Sequence, residues 1–549
     1  MKIKTLMVVA LMGIVATACE KDDVTSQEDM TVKTPITISA NYGGHGAKVA
    51  YTEEGANITA TWETGDELYV VYNGVVNTLT LASGAGTSSA TFTGTISGTP
   101  SATSMLLCYV KDKNAPSAVT VNTDGSYTYT SGTFTSQDGT MASAAKCNLY
   151  YGVAQYGDGS DISCTFGVNT SMMKFSVATG LAENTAVTLS YKSDGTTIAS
   201  ASFNVGADGT NTVYMAIPAG KYTGAQTLVC NDGMGNRYSN ATATLSATQA
   251  NFAAGETYSK SFVFLFDGTG AVTATDGAII TGYGSTNSTH LTIADGATVV
   301  LENVILPALN SAVNSWAGIT CLGDATLKLV GTNQARGYGD NYPGIYVPQN
   351  KTLTIEGTGS LTAECQIDGR AAGIGSGYDL PSGNIVINSG NIIAKGYTGG
   401  AGIGGASWGS CGTITLNGGT ITASSYENKN NEHAGGQGAG IGSGQGSNGT
   451  CAGISITGGT ITANGGTKAA GIGSGKGGSC TNGVTIGSGV TSVTATKGYY
   501  STSIIGAGSD GTCGTVTIDG IEGASTSSAF THFNSSLSNS DMTWTLTRN

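Results

Sequence analysis

One stretch limits what this chain can fold into more than any other. From Gly369 to Gly520 the pattern AGIGSG … TITL-NGG-TITA recurs, with a cysteine at a fixed place. Ile374, Ile403, Ile441, Ile472 and Ile505 mark the copies and lie 29, 38, 31 and 33 residues apart. A period of that size means stacked structural repeats. AGI ending at Ile319 and PGI ending at Ile345 are weaker copies, so the array is expected to hold about seven turns, above the roughly three that stability requires.

Within each copy, apolar residues alternate with Thr, Ser or Asn, as at Leu353/Ile355, Ile385/Ile387, Ile414/Leu416, Ile454/Ile456, Val484/Ile486 and Val516/Ile518. Period two means strand. A further strand follows a Gly-rich corner at Leu361/Ala363, Ile392/Ala394, Ile421/Ala423, Ile461/Ala463 and Val493/Ala495, so each copy reads as three strands. No helical segment or hairpin signal closes a copy on itself. Equivalent strands must then pair with those of neighbouring copies, parallel and in register, which predicts a parallel β-helix filled by ladders of like side chains. Glycine density alone would also suit a disordered tract, but disorder does not keep apolar residues in phase. The longest interval carries its surplus as a polar run from Tyr426 to Gln437, which reads as a loop leaving one corner, where function tends to sit.

Cys411, Cys451, Cys480 and Cys513 fall 8, 10, 8 and 8 residues after the marker isoleucines. On adjacent coils they would stand about 4.8 Å apart. That spacing admits disulfides and equally a stack of buried thiols beside Ile414, Ile454, Val484 and Val516, the preferred reading. No CxxC or Cys/His cluster suggests zinc.

The chain begins with Lys2 and Lys4, an apolar run from Leu6 to Val15, and Ala16-Thr17-Ala18 before Cys19. This reads as a secretory signal too short to span a membrane. Cys19 is the expected lipidation site, tethering the chain rather than threading it. The following Glu20-Lys21-Asp22-Asp23 resembles the acidic export signal that sends Bacteroidetes lipoproteins to the outer face of the outer membrane. Charged residues are only 11% and the formal net charge is −13, which argues against nucleic acid as a partner.

From Pro35 to about Phe266, short alternating segments such as Glu67–Tyr72 and Val187–Tyr191 are separated by Gly, Asn, Asp and Ser, a pattern of antiparallel sandwiches. A break near Thr135 to Lys146 divides them. The run Thr61-Trp62-Glu63-Thr64-Gly65-Asp66-Glu67-Leu68 resembles the W-x-x-GD-x-hydrophobic signature of the fimbrillin-like proteins of Bacteroidetes. Met173–Val177, Val213–Gly220 and Phe252–Tyr258 agree with it. The resemblance covers roughly residues 33–265 and implies two transthyretin-like β-sandwich domains in a surface lipoprotein related to pilins and to pilus tip or accessory subunits. Pilins of that family polymerise after a trypsin-like cut, for which Lys48 is the candidate processing site, although no Arg precedes Arg237.

The expected architecture is thus all-β. It runs as a signal peptide (1–18), a lipidated linker (19–34), two sandwiches (35–145 and 146–266), a right-handed parallel β-helix (267–520) and a C-terminal cap (521–549). Carbohydrate-cleaving β-helices need grouped carboxylates, but Glu356, Glu364, Asp368, Asp379 and Asp510 are scattered over different copies. His45 and His433 lie in polar segments. No catalytic set, cofactor site or metal site is expected, and the turns around Asp340 and Asp510 offer too few oxygens for calcium. Tyr378, four residues after Ile374, and Trp408, five after Ile403, share the corner that leaves the AGIG strand, where flat rings suit sugar stacking. Tyr338, Tyr342, Tyr397 and Tyr426 extend the candidate patch. The reading is a cell-surface adhesin or pilus-associated protein whose partners are a glycan or other surface ligand, pilus subunits, and the outer membrane through its lipid. The alternatives are a polysaccharide lyase or hydrolase and a structural pilus subunit.

Overall fold

The computed structural model describes residues 29–42, 50–54, 57–111, 119–157, 162–235, 239–267, 269–284, 289–307, 316–337, 339, 341–367, 369–426, 436–538, 540 and 542–549. Cys19, Glu20, Lys21, Asp22, Asp23 and Lys48 lie outside them, as do His45, Tyr338, Asp368 and His433. The described chain is all-β apart from a 3-10 turn at Thr133–Thr135 and a five-residue helix at Met141–Ala145.

The alternation read at the start of the chain produces strands with one buried face. Ile36, Ile38 and Ala40 point inward from Lys33–Tyr42, and Ile162, Cys164, Phe166 and Val168 from Ile162–Val168. These strands do not form the antiparallel sandwich expected from the sequence. Lys33–Tyr42, Ile162–Val168, Tyr150–Gln155, Met105–Lys111, Glu67–Tyr72, Val75–Ser83 and Ser89–Ser97 follow one another in a hydrogen-bonded ring that closes on itself. Closure comes from Lys33–Tyr42, which pairs antiparallel with Ser89–Ser97 and parallel with Ile162–Val168, so neither edge of that strand is left bare. Trp62 is fully buried at the centre, edge-on to Phe92 at 4.9 Å and Phe166 at 5.9 Å. Asp66 accepts a 2.7 Å hydrogen bond from the Glu63 amide across the turn, and Gly65 supplies the turn's positive φ of 96°. The W-x-x-GD signature is therefore a core anchor followed by its turn.

The break between the two units is not a clean cut at residue 145. Phe134, Ala144 and Cys147 pack into the second core, where buried Gln137 is bonded through its amide to both N–H and C=O of Ala216. The chain then returns to complete the first barrel with residues 150–168. The second unit is a two-layer sandwich. Thr210–Pro218, Thr170–Ala178 and Thr257–Leu265 form one layer, and Thr196–Asn204, Ala186–Ser193, Gln226–Asn231 and Asn240–Ser246 the other. Phe175, Met215, Phe262, Leu189, Tyr191 and Leu228 meet between them.

Thr257–Leu265 also pairs parallel with Ile279–Tyr283, which pairs with Ala297–Leu306, so the sandwich sheet runs on into the repeats. Glu302 accepts from the Thr244 amide at 2.8 Å, and the Thr281 hydroxyl donates to Thr242 O at 2.9 Å. Both bonds tie the repeats to the outer strand of the opposite layer.

In the repeats, equivalent strands pair parallel and in register from copy to copy. Ile374 faces Ile403, Ile441, Ile472 and Ile505 in turn. Ile385 and Ile414 lead one further ladder, and Ile392, Ile421 and Ile461 another. The first of these ladders forms a nine-stranded sheet. Nine exceeds the seven turns expected, because Ala271–Ala274 and His290–Ile293 add two coils that lack the AGIG glycines. The apolar ladders form one continuous core from Ala178 to Leu546.

The second glycine of AGIG is dictated by contact. A Cβ on Gly375, at φ 135°, would stand 2.0 Å from the carbonyl oxygen of Gly404, and Gly442 and Gly473 are equally confined. The serine that follows is also explained. Ser376, Ser443 and Ser474 are wholly buried, and their hydroxyls accept from the amides of Ala406, Gly475 and Gly508 on the next coil at 2.6, 3.0 and 2.9 Å. At the far end Thr543–Arg548 pairs antiparallel with Ser492–Thr496 and brings Trp544 and Leu546 into the core, ending one of the parallel ladders.

Candidate functional site

The corner leaving the AGIG strand is built by backbone bonds between coils. The amides of Asp379, Trp408, Gly446 and Gly477 donate to the carbonyls of Ser407, Gln445, Lys476 and Ser509 on the following coil, at 2.7 to 3.1 Å. These donors, with Asn350 and Asp510, form one column of left-handed residues: φ is 62° at Asn350, 53° at Asp379, 63° at Trp408, 101° at Gly446, 63° at Gly477 and 57° at Asp510. Gly and Asp suit that conformation. A tryptophan there is a genuine outlier for a bulky side chain.

Trp408 remains 41% exposed. One face of its indole covers the next turn, since a Cβ on Gly446 would meet the ring at 2.7 Å. Tyr378 lies at the same corner one column over, in register with Ser407, Gln445 and Lys476. Its ring is half-buried, with the Arg370 guanidinium 4.9 Å from its centroid. The two rings thus occupy neighbouring columns, not a single stacked one. Leu380 adds an exposed apolar side chain beside them.

Tyr426 stands elsewhere. It follows the third strand, Thr420–Ser425, and its ring lies 5.0 Å from that of Tyr397 one coil earlier, tilted by 40°. Its carbonyl accepts from the Gly436 amide at 2.7 Å, which joins the two ends of the 427–435 segment. Of the three predicted ligand residues, Tyr378 and Trp408 share one corner and Tyr426 marks another.

Next to the Trp408 corner runs a groove of about 370 Å³ that sequence reasoning missed. Its lining includes Gln349, Asn350, Asn384, Ser410, Thr450 and Asn482. These residues belong to five successive coils, so only the stacking register, invisible in any one copy, brings them together.

The four described acidic residues considered for catalysis, Glu356, Glu364, Asp379 and Asp510, do not gather at one place. Glu356 pairs with Lys328 at 3.4 Å. Glu364 is buried and clamped by Arg336 at 2.8 Å and Lys395 at 2.6 Å, one coil to either side. Asp379 is exposed at the Trp408 corner, and Asp510 lies in the same column of the last coil. Among the described residues no group of three His, Cys, Asp or Glu could hold a metal.

The cysteine column lies inside. Cys411, Cys451 and Cys480 belong to the core, Cys513 packs against it, and all four thiols are free. Cys411 is opposite Cys451 and Cys480 opposite Cys513. Contact with the neighbouring thiol, then burial, pushes the Cys513 thiol far above its ordinary range.

No family model matches the chain, and no curated protein does. Among solved structures it is similar to a candidate cell adhesion protein from Bacteroides ovatus ATCC 8483, at 14% identity and TM-score 0.27, over 42% of this chain and 92% of that one. It is also similar to the fimbrial anchor protein Mfa2 from Porphyromonas gingivalis, at 13% identity and TM-score 0.20, over 36% of this chain and 78% of that one. A fimbrial assembly protein from Parabacteroides distasonis ATCC 8503 aligns at 9% identity and TM-score 0.22, over 42% and 91%. At these values the likeness assigns no family.

Proposed function

We propose that this chain is a non-enzymatic adhesin or pilus-associated protein of the cell surface, anchored through Cys19, whose repeat array presents a glycan-binding corner. In this reading the two N-terminal β units form the stalk or docking module of a fimbrillin-like lipoprotein. The stacked coils are a right-handed parallel β-helix, Tyr378 and Trp408 contact the ligand at their shared corner, and Tyr426 offers a separate contact at its own corner. The fimbrial and adhesion names of the similar structures belong to those proteins and carry no weight here.

The observation that carries the reading is Trp408. Holding a bulky residue at positive φ costs on the order of 1–3 kcal/mol and persists only where the surroundings enforce it, and such residues cluster at ligand-binding sites. Other coils place Asn, Asp or Gly at this position, as at Asn350, Asp379 and Gly446. Function accounts for the exception, since an exposed indole is a platform for the apolar face of a sugar.

A glycan and host-matrix screen with the full mature chain tests the ligand; a protein that binds no saccharide contradicts the reading. Anchoring is tested separately in whole cells. Cys19→Ala should release the protein from membranes. Replacing Lys21, Asp22 and Asp23 by alanine should keep it membrane-bound but hidden from added protease, and unchanged protease sensitivity would contradict the export signal.

A further inference from the structure

We propose that the groove beside Trp408 is the main binding cleft of this site, and that its ligand is an extended, uncharged polysaccharide lying along the stack axis. The inference rests on the glycan reading above and specifies the class of glycan. Its first support is chemical. The lining named above carries amides and hydroxyls and no ionised group. Amide side chains offer both donors and acceptors, which matches sugar hydroxyls that are themselves both.

Those groups are largely unspent. Asn384 is used internally, its Oδ1 accepting from the Thr413 amide at 2.9 Å. The side chains of Gln349, Asn350, Ser410, Thr450 and Asn482 make no side-chain hydrogen bond among the described residues. The cation nearest in sequence, Lys351, is held by Asp295 at 3.1 Å, and the chain carries a net charge of −13. An acidic polymer would meet neither a free cation in the lining nor a favourable field.

The second support is dimensional. Five coils at about 4.8 Å give a cleft of about 19 Å, which suits several sugar units and is far longer than a disaccharide. Trp408 stands two residues before Ser410 of the lining, and its indole covers Gly446 on the next coil, four residues before Thr450. A chain in the groove would meet amides and hydroxyls below and one aromatic face at its side.

The test is calorimetric titration of the full mature chain. Its probes are cello-, manno- and xylo-oligosaccharides of two and six units, with polygalacturonate and alginate as acidic polymers. At least one neutral hexamer should bind tenfold or more tightly than its dimer and in preference to both acidic polymers. Gln349→Ala and Asn482→Ala, at opposite ends, should each weaken the hexamer at least fivefold with the melting temperature unchanged. If a glycan binds and is lost with Trp408→Asn but ignores both end variants, or if an acidic polymer binds as well, this inference falls while the glycan reading stands. If no saccharide binds the parent, both fall.

Discussion

At the scale of single residues, the interior thiols show how burial sets chemistry. Cys480 has no exposed surface and faces Cys451 and Cys513 on the coils before and after it. Cys480→Asp would place an unpaired carboxylate there and should cost about 3–5 kcal/mol, whereas Cys480→Ser should be milder. Chemical denaturation measures both, and an unchanged midpoint for the aspartate variant would contradict an interior column. The same burial predicts alkaline sensitivity. Desolvation pushes the thiols of Cys321 and Cys365 up to about 12, while an unfolded thiol titrates near 8.5. Above that pH the unfolded chain has lost protons that the folded chain keeps, so stability falls as pH rises from about 8.5 towards 12. Each such group contributes up to about 1.4 kcal/mol per pH unit. Unfolding midpoints at pH 8 and pH 10 check the sign, and equal midpoints would contradict it.

At the scale of elements, the AGIG strand is held by backbone proximity. Gly442→Ala would set a methyl 1.9 Å from the Gly473 carbonyl oxygen at a φ of 135°, and should cost at least about 3 kcal/mol from backbone strain and overpacking together. Gly477→Asn makes the contrast. Its φ is 63° and the nearest atom is 4.0 Å away, so an asparagine, which tolerates that region, should stay within about 0.5 kcal/mol of the parent. Denaturation of the pair measures the difference, and equal stabilities would contradict the contact.

How far elements were legible follows from the same physics. The three ladders were readable because parallel in-register pairing keeps like residues in phase, as at Ile374, Ile403 and Ile441. The first two coils were not, because Val272 and Leu291 stand where later coils have the marker isoleucine, and Thr273 and Thr292 where they have the glycine after it. Closure of the barrel was also hidden, since nothing in Lys33–Tyr42 records that Ile162–Val168 returns to its free edge after the chain has visited the second core. At the site, the exposed Trp408 was readable from its offset to Ile403. The left-handed column and the groove were not, because each arises from the register between coils.

At the scale of the whole molecule, each of the three parts covers some of its sheet edges. The first barrel closes its sheet, the second unit continues its sheet into the repeats, and Thr543–Arg548 ends one of the parallel ladders. The repeats also offer a partner their corners, where turns and loops leave the strands. Among the described residues, the corner bearing Trp408 combines a left-handed backbone with an exposed ring.

The measurement that tests this account most directly compares the parent with Trp408→Asn in the full mature chain, by glycan binding and by thermal unfolding together. Asparagine suits φ 63°, so the relieved strain should offset the lost ring packing and leave stability within about 1 kcal/mol. Binding should fall by about 1–3 kcal/mol, roughly five- to 150-fold, by analogy with the loss of one aromatic stacking platform. Binding that survives the substitution, or a fold that collapses with it, would show that the indole serves the scaffold and not the ligand.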